Sequence, residues 1–154
     1  AASDVYKRQQ IHRRNTDLMA AIRREAKKAG VKELRGRVLN RIVDRALEGG
    51  APHFYVSYER ALEVIHRHRP SINGSTRSLR VRMWDDIRRL AEEEMADDPE
   101  SDIYQAISRV LFLSPAPHFY ISRATALGIY HTTVAYERMR NEKQRRLYRH
   151  RHDS

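Results

Sequence analysis

Apolar residues early in the chain recur at spacings of three and four, the period of a helix with one buried face. Leu18, Met19, Ile22 and Ala26 form the first series, and Asn15 or Thr16 ahead of it is placed to cap a helix start. Gly30 follows as a stop, because glycine takes the left-handed conformation that closes a helix without a steric penalty. Leu34, Val38, Leu39, Ile42, Val43, Ala46 and Leu47 form the second series, ended by Gly49-Gly50. Ala61, Leu62 and Ile65 form a third, opened by Ser57 and closed by Pro70.

The pattern then returns. Ala51-Pro52-His53-Phe54-Tyr55-Val56-Ser57 recurs 65 positions later as Ala116-Pro117-His118-Phe119-Tyr120-Ile121-Ser122, and residues 51–66 and 116–131 share nine identities in sixteen positions. The same offset runs back without a gap to Leu18, pairing Val38 with Ile103, Ile42 with Ile107 and Ile22-Arg23-Arg24 with Ile87-Arg88-Arg89. Self-similarity of this extent marks a tandem duplication. The second copy is expected to start its helices near Thr76, Ser101 and Ser122, with the last running on toward Arg149. The expected fold is all-α: two copies of a three-helix unit, helix-turn-helix-like with a lengthened turn. A unit of about 60 residues is marginal alone, so the two should pack as one compact body.

The expected organisation is a leader (1–9), unit 1 (10–70), a linker (71–75), unit 2 (76–137) and a basic C-terminal helix extension or tail (138–154). The leader, AASDVYKRQ, resembles translated adaptor or linker sequence and is read as non-native or disordered, outside the fold.

Charge adds a partner to this picture. The chain carries +10 over 154 residues, and only five of its 30 basic residues are lysines. Guanidinium groups fork onto phosphate and carboxylate oxygens, where ammonium groups act as point charges. The charge is also segregated: +7 over residues 10–45, −7 over 85–102 and +6 over 138–151. Two basic segments around an acidic one suit contacts to a phosphate backbone, with DNA the expected partner, and leave the acidic stretch 85–102 for a protein partner.

The repeated heptad has a structural reading that comes first. Pro52 and Pro117 impose an extended approach. His53, Phe54, Tyr55 and Ser57, with His118, Phe119, Tyr120 and Ser122, are then turn and cap residues, the aromatics stapled back onto the core. After the turn, Val56-Ser57-x-x-x-Ala61-x-x-x-Ile65 and Ile121-Ser122-x-x-x-Ala126-x-x-x-Tyr130 match the second half of a helix-turn-helix. The first half does not match, because Glu48–Val56 occupies nine residues where the usual turn spans three or four. On this reading Arg60 and Arg123, at the starts of the third helices, contact bases or a groove. Arg23, Arg24, Arg88 and Arg89 contact phosphate. Arg145, Arg146 and Arg149, interleaved with Tyr148, His150 and His152, form an arm on nucleic acid.

Other classes fall away. The chain has no cysteine, hence no disulfide, thiolate nucleophile or Cys-ligated metal. His66-x-His68 and His150-x-His152 have a spacing that does not put two ligands on one helix face, and Gly-rich phosphate loops and nucleophile elbows are missing. No enzymatic activity, metal or cofactor is expected, no apolar run is long enough for a membrane span, and a cytoplasmic home is the default. The Pro-Ala-Pro-x-Phe-Tyr-(Val/Ile)-Ser element resembles that of a group of short basic bacterial proteins of unassigned function. The first copy departs from it, with Gly50 where the second has Pro115. That resemblance implies no activity. The expectation is a small regulatory or architectural protein that binds nucleic acid; the alternative is a helical protein-interaction or assembly module.

Overall fold

The computed structural model describes residues 2–67 and 78–153. These form six helices: α1 (Ala2–Lys28), α2 (Gly36–Glu48), α3 (Tyr58–Ile65), α4 (Leu79–Asp97), α5 (Ile103–Leu113) and α6 (Arg123–His152). Among the described residues there is no strand, only an isolated antiparallel bridge between Ala51 and Ala116. The expected closing Pro70, the linker 71–75 and Thr76 lie outside the described residues.

Several boundaries differ from the sequence reading. Neither glycine nor proline interrupts Ala2–Lys28, so α1 runs through the expected start. Asn15 and Thr16 lie inside it rather than capping it: the Thr16 hydroxyl donates to the His12 carbonyl at 3.0 Å, and the Asn15 amide oxygen accepts from Arg14. Residues 2–9, read as a leader outside the fold, are its first two turns. Gly30 does stop it, with φ +69°, Val31 N–H on the Ala26 carbonyl and Gly30 N–H on the Lys27 carbonyl, a Schellman closure. α5 starts near Ser101, as expected, and its cap is Asp102. The Asp102 carboxylate accepts from Gln105 N–H at 2.8 Å, while the Gln105 side chain accepts from Asp102 N–H, a reciprocal box that a serine one position earlier is out of register to make.

Packing crosses the sequence. α2 packs on α1 and α6; α5 packs on α4 and α3. The third helix after each repeated heptad therefore lies on the second helix of the other half. Among the described residues, α3 packs on neither α1 nor α2, and α6 on neither α4 nor α5. The expected helix-turn-helix pairing of α2 with α3, and of α5 with α6, is not formed. The connections between them are too long and too extended for that, and they carry the next helix across the molecule.

The crossing point is the repeated heptad. Ala51 and Ala116 exchange backbone hydrogen bonds, each N–H donating to the other's carbonyl at 2.8 Å. Phe54 stacks on Tyr120, with ring centroids 5.9 Å apart, and Tyr55 stacks on Phe119 at 6.2 Å. Around this point one hydrophobic core draws on all six helices. Its largest fully buried members are Leu18, Ile22, Ile42, Val43, Ile87, Ile107 and Val110. Each such aliphatic side chain stabilises the fold by about 1.5–3 kcal/mol relative to exposure.

Candidate nucleic-acid interface

The heptad side chains are engaged within the molecule. Phe54 and Phe119 are buried. The Tyr55 hydroxyl donates to Asp17 at 2.6 Å and the Tyr120 hydroxyl to Asp86 at 2.5 Å. Burial, and then the carboxylate that accepts its proton, push each phenol far above the ordinary tyrosine range. His53 Nε2 accepts from the Arg13 guanidinium at 2.6 Å. His118 is buried, and its Nδ1 accepts from the Tyr120 backbone N–H at 2.7 Å. That bond helps hold Tyr120 at φ +59°, a left-handed conformation uncommon for a residue with a side chain. Burial, with the charges of Arg13 and Arg82 respectively, lowers the proton affinity of both histidines.

Asp17, Asp86, Arg13 and Arg82 were not legible from the repeat. Asp86 lies 69 positions after Asp17, and Arg82 lies 69 after Arg13. The ungapped 65-residue register sets Asp86 against Ala21, one helical turn away. The last residues of α1 and α4, Lys28 and Asp97, are also 69 apart. The first helices thus correspond with a four-residue shift, and Arg23-Arg24 and Arg88-Arg89 do not occupy matching places.

The third helices begin as the sequence suggested. Ser57 accepts from Arg60 N–H and Ser122 from Thr125 N–H, each at 3.1 Å. Ala61, Ile65 and Ala126 are buried, while Arg60 and Arg123 are exposed. Both guanidiniums already hold carboxylates: Arg60 pairs with Glu63 at 3.1 Å, and Arg123 forks onto both oxygens of Asp44 on α2. The fork lowers the Asp44 pKa and raises that of Arg123. Of the residues expected on phosphate, Arg23 pairs with Glu137 on α6 at 2.7 Å. Arg88 pairs with Glu92 and Arg89 with Glu93, both at 3.2 Å along α4. Exposed pairs of this kind contribute about 0–1 kcal/mol and exchange readily for another anion. Arg24 is exposed and lines an open groove of about 500 Å³ between α1 and the two heptad turns, beside Ala20, Gly50, Pro52 and Pro117.

The remaining candidate residues, Arg145, Arg146 and Arg149, lie on α6. Its first half crosses α2 and α1 as far as Glu137, which Arg23 holds. Beyond it every residue from Arg138 to His152 is exposed. This arm is 15 residues long, about 22 Å, and carries seven Arg and Lys against Glu142 alone. Arg146 pairs with Glu142 at 2.6 Å, whereas Arg145 and Arg149 stand in solvent. The arm leaves the body from the strand of helix that Arg23 holds, near the end of α1 that carries Lys27 and Lys28. The exposed acidic residues of the 85–102 stretch, Glu92, Glu93, Asp97, Glu100 and Asp102, sit on the last turns of α4 and around the α5 cap.

Among the described residues no three His, Asp or Glu side chains gather in a way that would hold a metal ion, and no helix is long and apolar enough to cross a membrane. The chain matches no protein-family model, and neither a curated protein nor a solved structure matches it significantly.

Proposed function

We propose that the chain binds nucleic acid, with duplex DNA the preferred form, as a small regulatory or architectural protein. The observation that carries this reading is the α6 arm, exposed on every side with seven basic residues against one acidic. A helix of this length gains little from propensity alone, and its Met139, Leu147 and Tyr148 are exposed without serving the core. Arg145 and Arg149 are its readiest phosphate contacts, with Arg24, Lys27 and Lys28 at the base. Arg23, Arg60, Arg88, Arg89, Arg123 and Arg146 would contribute by exchanging a carboxylate for a phosphate.

The body fits a tandem duplication with exchanged third helices. The reciprocal Ala51–Ala116 bridge, the paired Phe–Tyr stacks and the paired Tyr–Asp bonds support it, with four residues fewer between the first-helix end and the second-helix core in copy two. A second reading, a protein-interaction module, is favoured by Phe112 and Leu113, 68% and 79% exposed at the C-terminal end of α5, the end away from its acidic cap.

Titrating labelled duplex at several salt concentrations tests the proposal. Binding should weaken with a log–log slope of about −0.9 per phosphate contacted. Absence of binding to any duplex or single strand at low salt overturns it and leaves the interaction reading.

A further inference from the structure

We infer that the α6 arm is a major-groove reading helix, with Asn141, Gln144 and Tyr148 facing the bases; this rests on the nucleic-acid reading above. At about 100° per residue, Asn141, Gln144 and Tyr148 fall within a sector about 60° wide. Arg138, Arg145 and Arg149 follow one another along one edge of that sector, and Arg140 and Arg151 lie along the other. A strip of neutral hydrogen-bonding side chains is therefore bordered by arginines on both sides. That is the layout needed by a helix whose middle meets base edges while its flanks meet the two phosphate backbones.

Two further observations point the same way. The arm's one acidic residue, Glu142, lies about a third of a turn from the strip and is neutralised by Arg146. Phosphates along the arginine flanks would therefore meet no uncompensated carboxylate. His152 stacks on Tyr148, with centroids 4.0 Å apart, and its ring nitrogen meets the Tyr148 carbonyl at 2.9 Å, which backs the tyrosine ring within the strip.

Dimensions select the ligand. A helix with its side chains is about 10–12 Å across, and the B-DNA major groove is about 12 Å wide. Because no residue from Arg138 to His152 is covered by the body, the arm can enter a groove while the body stays outside it. The major groove of A-form RNA is too narrow and deep to admit it. Asn and Gln amides pair in two-point fashion with adenine N6 and N7, so the strip should favour A·T pairs at the positions it faces.

The test uses the full chain, with DNA and RNA duplexes of one sequence, and a randomised DNA duplex pool from which preferred sites are selected. The expected results are DNA binding at least about tenfold tighter than RNA-duplex binding, and enrichment of an A·T-containing site. In the double variant Asn141→Ala with Gln144→Ala, the preference for that site over random DNA should fall about tenfold or more, with the salt slope unchanged. Arg145→Ala should do the opposite, keeping the preference while reducing the salt slope by about 0.9. Far-UV circular dichroism of the variants checks that the arm stays helical. Equal affinity for the RNA duplex, no enriched site, or an intact preference in the double variant each overturns groove reading while leaving nucleic-acid binding standing. Failure to bind any nucleic acid overturns both.

Discussion

Gly50 packs so closely on Ala116 that a Cβ added to it would lie 2.8 Å from the Ala116 carbonyl oxygen, inside any real contact distance. The neighbouring Ala51 makes the double hydrogen bond to Ala116, so this is where the two halves of the chain touch backbone to backbone. Gly50 also has φ +92°, which proline cannot adopt and other residues adopt only under strain. Ahead of the first heptad the chain thus departs from the second copy, which has Pro115 at the matching place, for a conformational reason. Gly50→Ala should destabilise the protein by about 1–3 kcal/mol, and Gly50→Pro by more. Urea unfolding gives the midpoints; an alanine variant as stable as the parent would mean that the crossing does not hold this geometry in solution.

The two Tyr–Asp bonds anchor the same crossing from outside. Tyr120→Phe leaves the Asp86 oxygen without the phenol that donates to it at 2.5 Å, and should cost about 1–3 kcal/mol; Tyr55→Phe should act similarly through Asp17. Both phenols ionise far less readily when folded than unfolded. Their contribution is therefore complete below the unfolded value of about 10 and is lost as pH rises above it. Ultraviolet titration should show two of the eight tyrosines silent until the alkaline unfolding transition. Eight phenols ionising together before unfolding would contradict the paired geometry.

Acid should act through His118. Its Nδ1 accepts the Tyr120 N–H, a role that an imidazolium cannot fill, and burial lowers its pKa further. The unfolded chain, with an unperturbed value of about 6.5, takes up the proton first as pH falls. Stability is then full above about pH 6.5 and declines as pH drops toward the folded value, with His53 contributing in the same direction. Urea midpoints at about pH 7.5 and pH 5 should differ in the parent and differ less in His118→Gln. An equal decline in that variant would place the acid sensitivity elsewhere.

What the sequence disclosed and what it concealed follow from how far each signal reaches. The apolar series of Leu18–Ala26 and Leu39–Leu47, and the caps at Ser57 and Ser122, are local, and each appears where the pattern put it. The expected start near Ser101 did not single out Asp102 as the cap, because a capping box is defined by its partner three residues on, Gln105. The exchange of α3 and α6 was not legible, since an apolar face does not specify which helix covers it. Asp17 and Asp86 were missed because the repeat register that finds Tyr55 and Tyr120 is out by one turn at the helices that supply the carboxylates.

The Arg123–Asp44 fork gives a way to ask whether the start of α6 takes part in binding. Asp44 occupies the Nε–Nη2 edge of the guanidinium and offsets its charge, so Arg123 offers an anion only its remaining N–H groups and a weakened attraction. Asp44→Asn removes the competing charge without shortening the side chain. If Arg123 touches nucleic acid, the Asn variant should bind duplex about two- to fivefold more tightly at low salt, and Arg123→Ala more weakly than the parent. Anisotropy titrations of the three proteins on one duplex decide this; equal affinities would confine the contact to the arm.

Removing residues 138–154 should separate binding from folding. No residue from Arg138 to His152 is covered by the rest of the chain, and the Arg23–Glu137 pair is kept when the cut falls after Glu137. The core contributed by α6 ends earlier, at Ala126 and the partly buried Leu127, Ile129, Tyr130 and Val134. The shortened chain should therefore unfold within about 0.5 kcal/mol of the parent, since changes away from packed or hydrogen-bonded groups rarely exceed that. Its far-UV circular dichroism should fall by the signal of one exposed 15-residue helix, and its affinity for duplex should collapse together with most of the salt slope. A large loss of stability would mean that the arm folds back onto the body. Unchanged affinity would move the nucleic-acid contact onto the body, where Arg24, Lys27 and Lys28 remain exposed.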